Sequence, residues 1–496
     1  VRTGIAALLL VAGAGLGLSC RKAAPPRPAA ASRVPKGDVI WLSDPTAASD
    51  PALDAELARL GDVAVLLPAG TLGAAPGPGA FTAVAPPARA IAATPVVLVV
   101  EPDAALAASL SSNEGPEAEA LAEAASAVLW RIATAGGFGR VAGVHLDFPV
   151  AARSAARYAS LVSGLKRSLN GIFVSISLRE LPADPEQRRK LGPLVESADA
   201  LVAFVFGDGP RVDPVATDAL GRPWWAAYDL RVGSEIRSAA GESRGPVPER
   251  LAEPLSGSPK FQFENDLSGG DAAISAFTLT ARGPVRQDGL SLEAGDRVAF
   301  RLPSISEMLF QLGSNLAGKR HALGRAIIFG GANEGERVFG IAALEDVLSG
   351  RTLTPVLEAD VRPAGRAAVT VDLVNRSHHA SVASSVDNWI EVDLAPARPA
   401  DVQLGGFDRY EVYDRSGQRV VPGRATTVRL FETLIAPMES VTPARITVRG
   451  ALPAACCRYR VHAMSAAGPE VSGDWKEPPP PPTPLPSKKG AAGKKR

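Results

Sequence analysis

Cysteine is scarce in this chain: three residues in 496, two of them adjacent, Cys456 and Cys457. Neighbouring Cα atoms lie about 3.8 Å apart across a trans peptide, short of the usual disulfide span, so no stabilising bridge is expected between them. That excludes a disulfide framework as the source of the fold. Net charge is nearly absent too, since 53 Lys and Arg against 52 Asp and Glu leave +1. Such a chain has no global field to draw in a polyanion, so nucleic acid is not an expected partner. The five histidines are scattered, and His378 and His379, as strand neighbours, would point to opposite faces, so no metal cluster is predicted. Gly330-Gly331-Ala332-Asn333-Glu334-Gly335 lacks the Lys-Ser/Thr of a phosphate loop and reads as a turn. Ser163-Gly164-Leu165-Lys166 has a serine–lysine spacing but lies inside an amphipathic helical stretch, with no Gly-x-Ser-x-Gly elbow to accompany it. No cofactor is predicted.

What is present begins with an apolar run, Ile5 to Leu18, after Arg2 and before Ser19-Cys20-Arg21-Lys22. It falls short of the roughly 20 residues that span a bilayer, and a small residue precedes the cysteine as a signal peptidase requires. Gly17-Leu18-Ser19-Cys20 resembles the bacterial lipobox, with Gly17 where leucine is more usual. The resemblance implies that residues 1–20 hold a lipoprotein signal cut just ahead of Cys20, leaving Cys20 as a lipidated N-terminus and the membrane as a partner reached through that anchor. Arg21 in place of an aspartate implies the periplasmic face of the outer membrane.

Residues 21–36 are Ala/Pro-rich and read as a tether. At the far end, 477–496 passes from the proline run Pro478 to Pro482 into Lys488-Lys489 and Lys494-Lys495-Arg496, a composition that predicts a disordered basic tail. Between them, residues 37–350 alternate short β-branched runs with helical stretches. Strands are expected at Val39–Leu42, Val63–Leu67, Val96–Val100, Val141–Phe148, Phe173–Leu178, Leu201–Phe206, Trp224–Tyr228 and Ala326–Phe329. Helices are expected at Ala52–Leu60, Glu117–Ala133, Ser154–Leu169, Glu186–Val195 and Ser304–Leu323. Eight βα units predict an α/β fold, a (β/α)8 TIM-like barrel, with an antiparallel insertion near 258–302 that competes for the eighth strand. Residues 354–476 repeat strand-like runs between Gly, Pro and Asp turns and predict an all-β sandwich.

The fourth strand carries the functional argument. In Gly143-Val144-His145-Leu146-Asp147-Phe148-Pro149, alternation puts His145 and Asp147 on one face and Val144, Leu146 and Phe148 on the other. The apolar face must meet the helices, so Asp147 points inward near the strand's C-terminal end, where barrel enzymes keep their chemistry. A carboxylate there serves a glycosyl transition state, activates water or binds sugar hydroxyls; alternatively Asp147 and His145 form a hydrogen-bonded pair that holds the barrel together. Glu101, leaving the third strand on the parity of Val97 and Val99, is the strongest second acid. Tyr228 and Asp229 at the end of the seventh strand, and Asp208 after the sixth, are further rim candidates, while Ser175 and Ser177 are expected beside Asp147.

The stretch from Gly143 through Tyr158 and Leu165 to Ser175-Ile176-Ser177-Leu178, and from Ala198-Asp199-Ala200-Leu201 to Phe206-Gly207, resembles the bacterial family called domain of unknown function 3142. The resemblance covers residues 37–350 and implies a glycosidase-like barrel. Relatives commonly read Asp-Phe-Asp where this chain has Asp147-Phe148-Pro149. The strand is also similar to the chitinase-type Asp-x-Asp-x-Glu pattern, with His145 at the first acid, Asp147 at the second and Pro149 in place of the proton-donating glutamate. Proline donates no proton, so hydrolysis needs another carboxylate. The expectation is an envelope lipoprotein whose barrel binds, and with a second acid hydrolyses, a polysaccharide or glycoconjugate, with Asp147 and Glu101 catalytic and His145, Ser175, Ser177, Tyr228 and Asp229 binding substrate. The rival is a non-catalytic structural or interaction lipoprotein with an eroded barrel site.

Overall fold

The computed structural model describes residues 34–477, with 45–52, 75–80, 85–93, 113–116, 136–140, 267–273, 331–339 and a few shorter stretches left outside the description. Cys20, the tether up to Arg33, the tail beyond Glu477 and most of the glycine-rich turn from Gly331 therefore lie outside the described residues.

Eight strands form the barrel: β1 (Val39–Leu42), β2 (Ala64–Leu72), β3 (Val96–Pro102), β4 (Val141–Leu146), β5 (Phe173–Leu178), β6 (Ala200–Phe206), β7 (Trp224–Asp229) and β8 (Ala322–Phe329). Each pairs in parallel with the next, and β1 closes the ring by pairing with both β8 (Val39↔Ala326) and β2 (Val39↔Ala64). The eighth strand is thus Ala322–Phe329, and the antiparallel segment does not supply it. Alternation divides each strand between two cores. Val144, Leu146 and Phe148 pack among the helices, whereas Trp41, Val99, Phe173, Phe204 and Trp225 fill the ring's interior. Where the interior is most crowded, β4 carries Gly143: a Cβ there would stand 2.3 Å from the ring of Phe173 on the next strand.

Two helical expectations are corrected. The helix after the insertion spans Ile305–Ser314 and does not reach Leu323, because the chain turns through Gly318 (φ 71°) and enters β8 at Ala322 to pair with Trp224. The 186–195 stretch is two short helices, Pro185–Lys190 and Gly192–Ser197, parted just ahead of Pro193, whose missing N–H cannot continue a helix.

Between β7 and β8 lies a five-stranded antiparallel sheet that takes in Gly233–Arg237, Ser243–Gly245, Phe261–Asp266, Ile274–Ala281 and Arg297–Pro303, so the insertion begins well before 258. Its core, built on Phe277, Leu279, Val298 and Phe300, also receives Ala380 and Leu434 from the C-terminal domain. That domain consists of a four-stranded and a five-stranded antiparallel sheet around one apolar core, a β-sandwich. Cys456 and Cys457 lie buried in this core and are joined as a disulfide, contrary to the expectation of no bridge. Among the described residues no helix is long and apolar enough to cross a membrane.

Candidate active site at the barrel rim

The register places Val99 beside His145 and Val100 beside Leu146, and the amide of Asp147 extends the ladder by donating to the Val100 carbonyl at 3.0 Å. One step further, Glu101 and Asp147 stand side by side on neighbouring strands, which run about 4.8 Å apart. Both share the inward parity. Asp147 is nearly enclosed, with 9% of its side chain exposed, while Glu101 stays open to solvent.

Below Asp147 runs a hydrogen-bonded column. His145, fully buried and edge-on to Trp41 at 4.9 Å, meets Ser175 Oγ through Nδ1 at 2.9 Å and Ser177 Oγ through Nε2 at 3.0 Å. Ser177 also bonds the Asp147 carboxylate. An ionised carboxylate only accepts, so the single Ser177 proton goes to Asp147 and its oxygen accepts from His145 Nε2–H; Nδ1 then accepts from Ser175. Protonating the ring would force the Ser175 hydroxyl to turn away. Burial first, and Arg179 after it, depress the His145 pKa to about 4 against the opposing pull of Asp147, so the imidazole is neutral at pH 7.

Above the column, Arg179 Nη2 donates to both Asp147 oxygens, at 3.0 and 2.8 Å, with its guanidinium 3.7 Å over the Phe204 ring. Burial on its own would raise the Asp147 pKa, but the Arg179 charge, helped by the Ser177 hydrogen bond, outweighs it and holds the carboxyl below its ordinary value. Glu101 moves the opposite way. Partial desolvation raises it first and the Asp147 charge second, against the lowering pull of Arg231 and Arg179. Across the ring, Asp229 is gripped by Arg231 at two points, Nε–Oδ1 2.8 Å and Nη2–Oδ2 2.6 Å. Gly207 (φ 134°) lets the chain after β6 pass over Asp229, since a Cβ there would come within 2.6 Å of the Asp229 Cβ.

The structure therefore brings Glu101, Asp147, Asp229, Arg179 and Arg231 to one end of the barrel. His145, Ser175 and Ser177 lie beneath them, each at most 1% exposed, and reach the rim only through Asp147. Tyr228 belongs elsewhere. It sits on the opposite face of β7 from Asp229, buried in the helix-facing core with its hydroxyl donating to the Gln311 carbonyl at 3.1 Å, so it cannot touch a ligand at the rim. Asp208 pairs with Arg301 of the insertion at 2.9 Å. A cavity of about 760 Å3 lies there, lined by Asp208, Gly233, Glu235, Arg237, Arg297 and Arg301 among others, and not by Asp147 or Glu101. Lys166 of the serine–lysine spacing is bound to Asp199 at 2.6 Å.

Sequence reading missed Arg179 and Arg231. Parity could have found both, since Arg179 continues the inward series Ser175, Ser177, and Arg231 continues Trp225, Ala227, Asp229. Among the described residues there is no cluster of three His, Cys, Asp or Glu able to hold a metal.

Fold and site together define a (β/α)8 barrel bearing a carboxyl pair at the C-terminal end of its strands, followed by a β-sandwich. Among solved structures the chain is similar to a provisionally assigned α-L-fucosidase of Bacteroides thetaiotaomicron, with 14% identity over 40% of this chain and 76% of that one at a TM-score of 0.26. It is also similar to a family 51 α-L-arabinofuranosidase of Bifidobacterium longum, with 11% identity over 87% of this chain and 98% of that one at a TM-score of 0.28. Likenesses this distant carry no argument about activity. No family model matches the chain, and no curated protein does, so domain of unknown function 3142 stands as a resemblance only.

Proposed function

We propose that the barrel rim binds a polysaccharide or glycoconjugate and hydrolyses its glycosidic bond. One observation carries this reading: two carboxyls on adjacent strands have their pKa values pushed in opposite directions, Glu101 up and Asp147 down. Divergent environments of this kind separate a proton donor from an ionised partner. Glu101 protonates the leaving glycosidic oxygen as the C–O bond breaks, and Asp147 meets the cationic anomeric carbon. Strand neighbours stand closer to the short carboxyl spacing of retaining enzymes than to the wide spacing of inverting ones, so Asp147 forms the glycosyl ester, which water then cleaves while Glu101 recovers its proton. His145, Ser175 and Ser177 position Asp147 from below. Pro149, at the chitinase-type acid position, makes Glu101 the donor.

A second reading rests on Arg179. With both Asp147 oxygens held by one guanidinium, the rim also suits a binding protein that does no chemistry. Reducing-end release from a panel of envelope polysaccharides separates the two. Hydrolysis predicts turnover by the wild type, lost in Asp147→Asn and Glu101→Gln; binding without turnover selects the second reading, and neither binding nor turnover overturns both. In either case the chain works as an envelope lipoprotein, held by a lipid on Cys20 at the periplasmic face of the outer membrane.

A further inference from the structure

The outer face of the five-stranded sandwich sheet is an unusual surface. Alternation sends Ile390, Val392, Val428, Leu430 and Val461 into the core, so their neighbours face outward. In register these outward residues form rows: Arg429–Glu391–Arg460, and beside it Phe431–Trp389–His462. Glu391, with 6% of its side chain exposed, binds both arginines, one through each carboxylate oxygen. Each guanidinium spends Nε and Nη2 on that single acid and keeps Nη1 for another acceptor. The arginines are stacked among aromatics: Arg429 lies 4.1 Å from the Trp389 ring and 4.6 Å from Tyr413, and Arg460 lies 4.9 Å from Trp475.

A cavity of about 600 Å3 opens over this row, walled by Tyr413, Arg415, Arg429, Arg458, Arg460 and Trp475. Its acids are already committed. Glu391 holds two arginines, Asp393 binds Arg458 at 2.7 Å, and Asp414 is used by the turn through Ser416 and Gln418. Arg415 at the mouth pairs with no acid among the described residues. The excess charge is positive, Arg415 offers an uncommitted planar fork that matches a carboxylate while Arg429 and Arg460 each add an open Nη1, and the walls are aromatic faces.

We propose that this cleft is a second ligand site, separate from the barrel, that binds a carboxylate-bearing polysaccharide. The sugar rings lie against Tyr413 and Trp475, and a uronate carboxylate takes the open Nη1 groups and Arg415. The proposal stands whether or not the barrel hydrolyses anything.

The test is native affinity electrophoresis of the full chain in gels containing polygalacturonate, with uncharged dextran as the comparison. Retardation by polygalacturonate alone is expected, reduced at high salt. Arg415→Ala combined with Trp475→Ala, at positions partly or fully exposed and not bonded to Glu391, weakens binding about tenfold or more. Asp147→Asn leaves it unchanged. Absence of retardation, equal retardation by dextran, or equal binding by the double variant overturns the assignment, and loss of binding in Asp147→Asn would move the site to the barrel.

Discussion

Replacing His145 with glutamine, which cannot titrate, gives a stability effect whose size follows from the column beneath Asp147. In the folded chain the imidazole pKa falls to about 4, from 6.5 in an unperturbed histidine. Between those values the unfolded chain takes up a proton that the folded chain refuses, so unfolding is favoured as pH drops. The contribution is fully present above pH 6.5 and is lost as pH falls to about 4. A depression of this size corresponds to roughly 3 kcal/mol over the window. Urea unfolding of the barrel, followed by tryptophan fluorescence, at pH 7, 6, 5 and 4 measures it. Trp41 and Trp225 lie inside the ring and report its opening. The difference in unfolding free energy between pH 7 and pH 4 should be about 3 kcal/mol smaller in His145→Gln than in the wild type, whatever the substitution costs at pH 7. Parallel pH profiles for the two proteins would refute the neutral, doubly bonded imidazole and the hydroxyl directions derived from it.

Arg179→Gln removes the guanidinium that neutralises Asp147; because Arg179 is 37% exposed, the cost falls below that of a fully buried pair, at about 1–2 kcal/mol in urea unfolding, with Asp147 titrating at higher pH. Gly143→Ala drives a methyl group into the Phe173 ring and should lower stability by about 1–3 kcal/mol, read as a fall in the melting temperature. Cys20→Ser should release the protein from the membrane fraction and abolish metabolic labelling with palmitate; unchanged fractionation and labelling would remove the lipid anchor from the proposal.

Strand positions and the barrel were legible because each buried strand is a compact β-branched or aromatic run, as in Phe173–Leu178, whose boundaries match the structure. Helix ends were less so. Past Ser314 the Ser304–Leu323 stretch still carries helix-favouring Leu316, Ala317, Lys319 and Arg320, but Gly318 ends the helical run and pairing with β7 makes Ala322 onward a strand. In the sandwich, Leu357–Pro363 alternates apolar and polar residues through Leu357, Ala359 and Val361, whereas in Arg398–Gln403 the buried Pro399 and the exposed Ala400 mask which face turns inward. At the rim, period two places His145 and Asp147 on one face, and the same rule lets only one of the strand neighbours Tyr228 and Asp229 face the rim, which is Asp229. The Arg179–Asp147 and Arg231–Asp229 pairs differ in kind. The second is local, two residues apart, whereas the first joins β4 to β5 and appears only once those two strands have paired in register.

The account turns on two neighbouring carboxyls held in opposite protonation tendencies at the open end of the barrel. Carbon-13 detection of the side-chain carboxyls across pH 2 to 8, assigned with Glu101→Gln and Asp147→Asn, reads both directly. Glu101 should titrate above its ordinary 4.5 and fall back toward it in Asp147→Asn, while Asp147 titrates below 3.8. Two carboxyls titrating together near their ordinary values, each indifferent to loss of the other, would contradict the proton donor and ionised partner assigned to this rim.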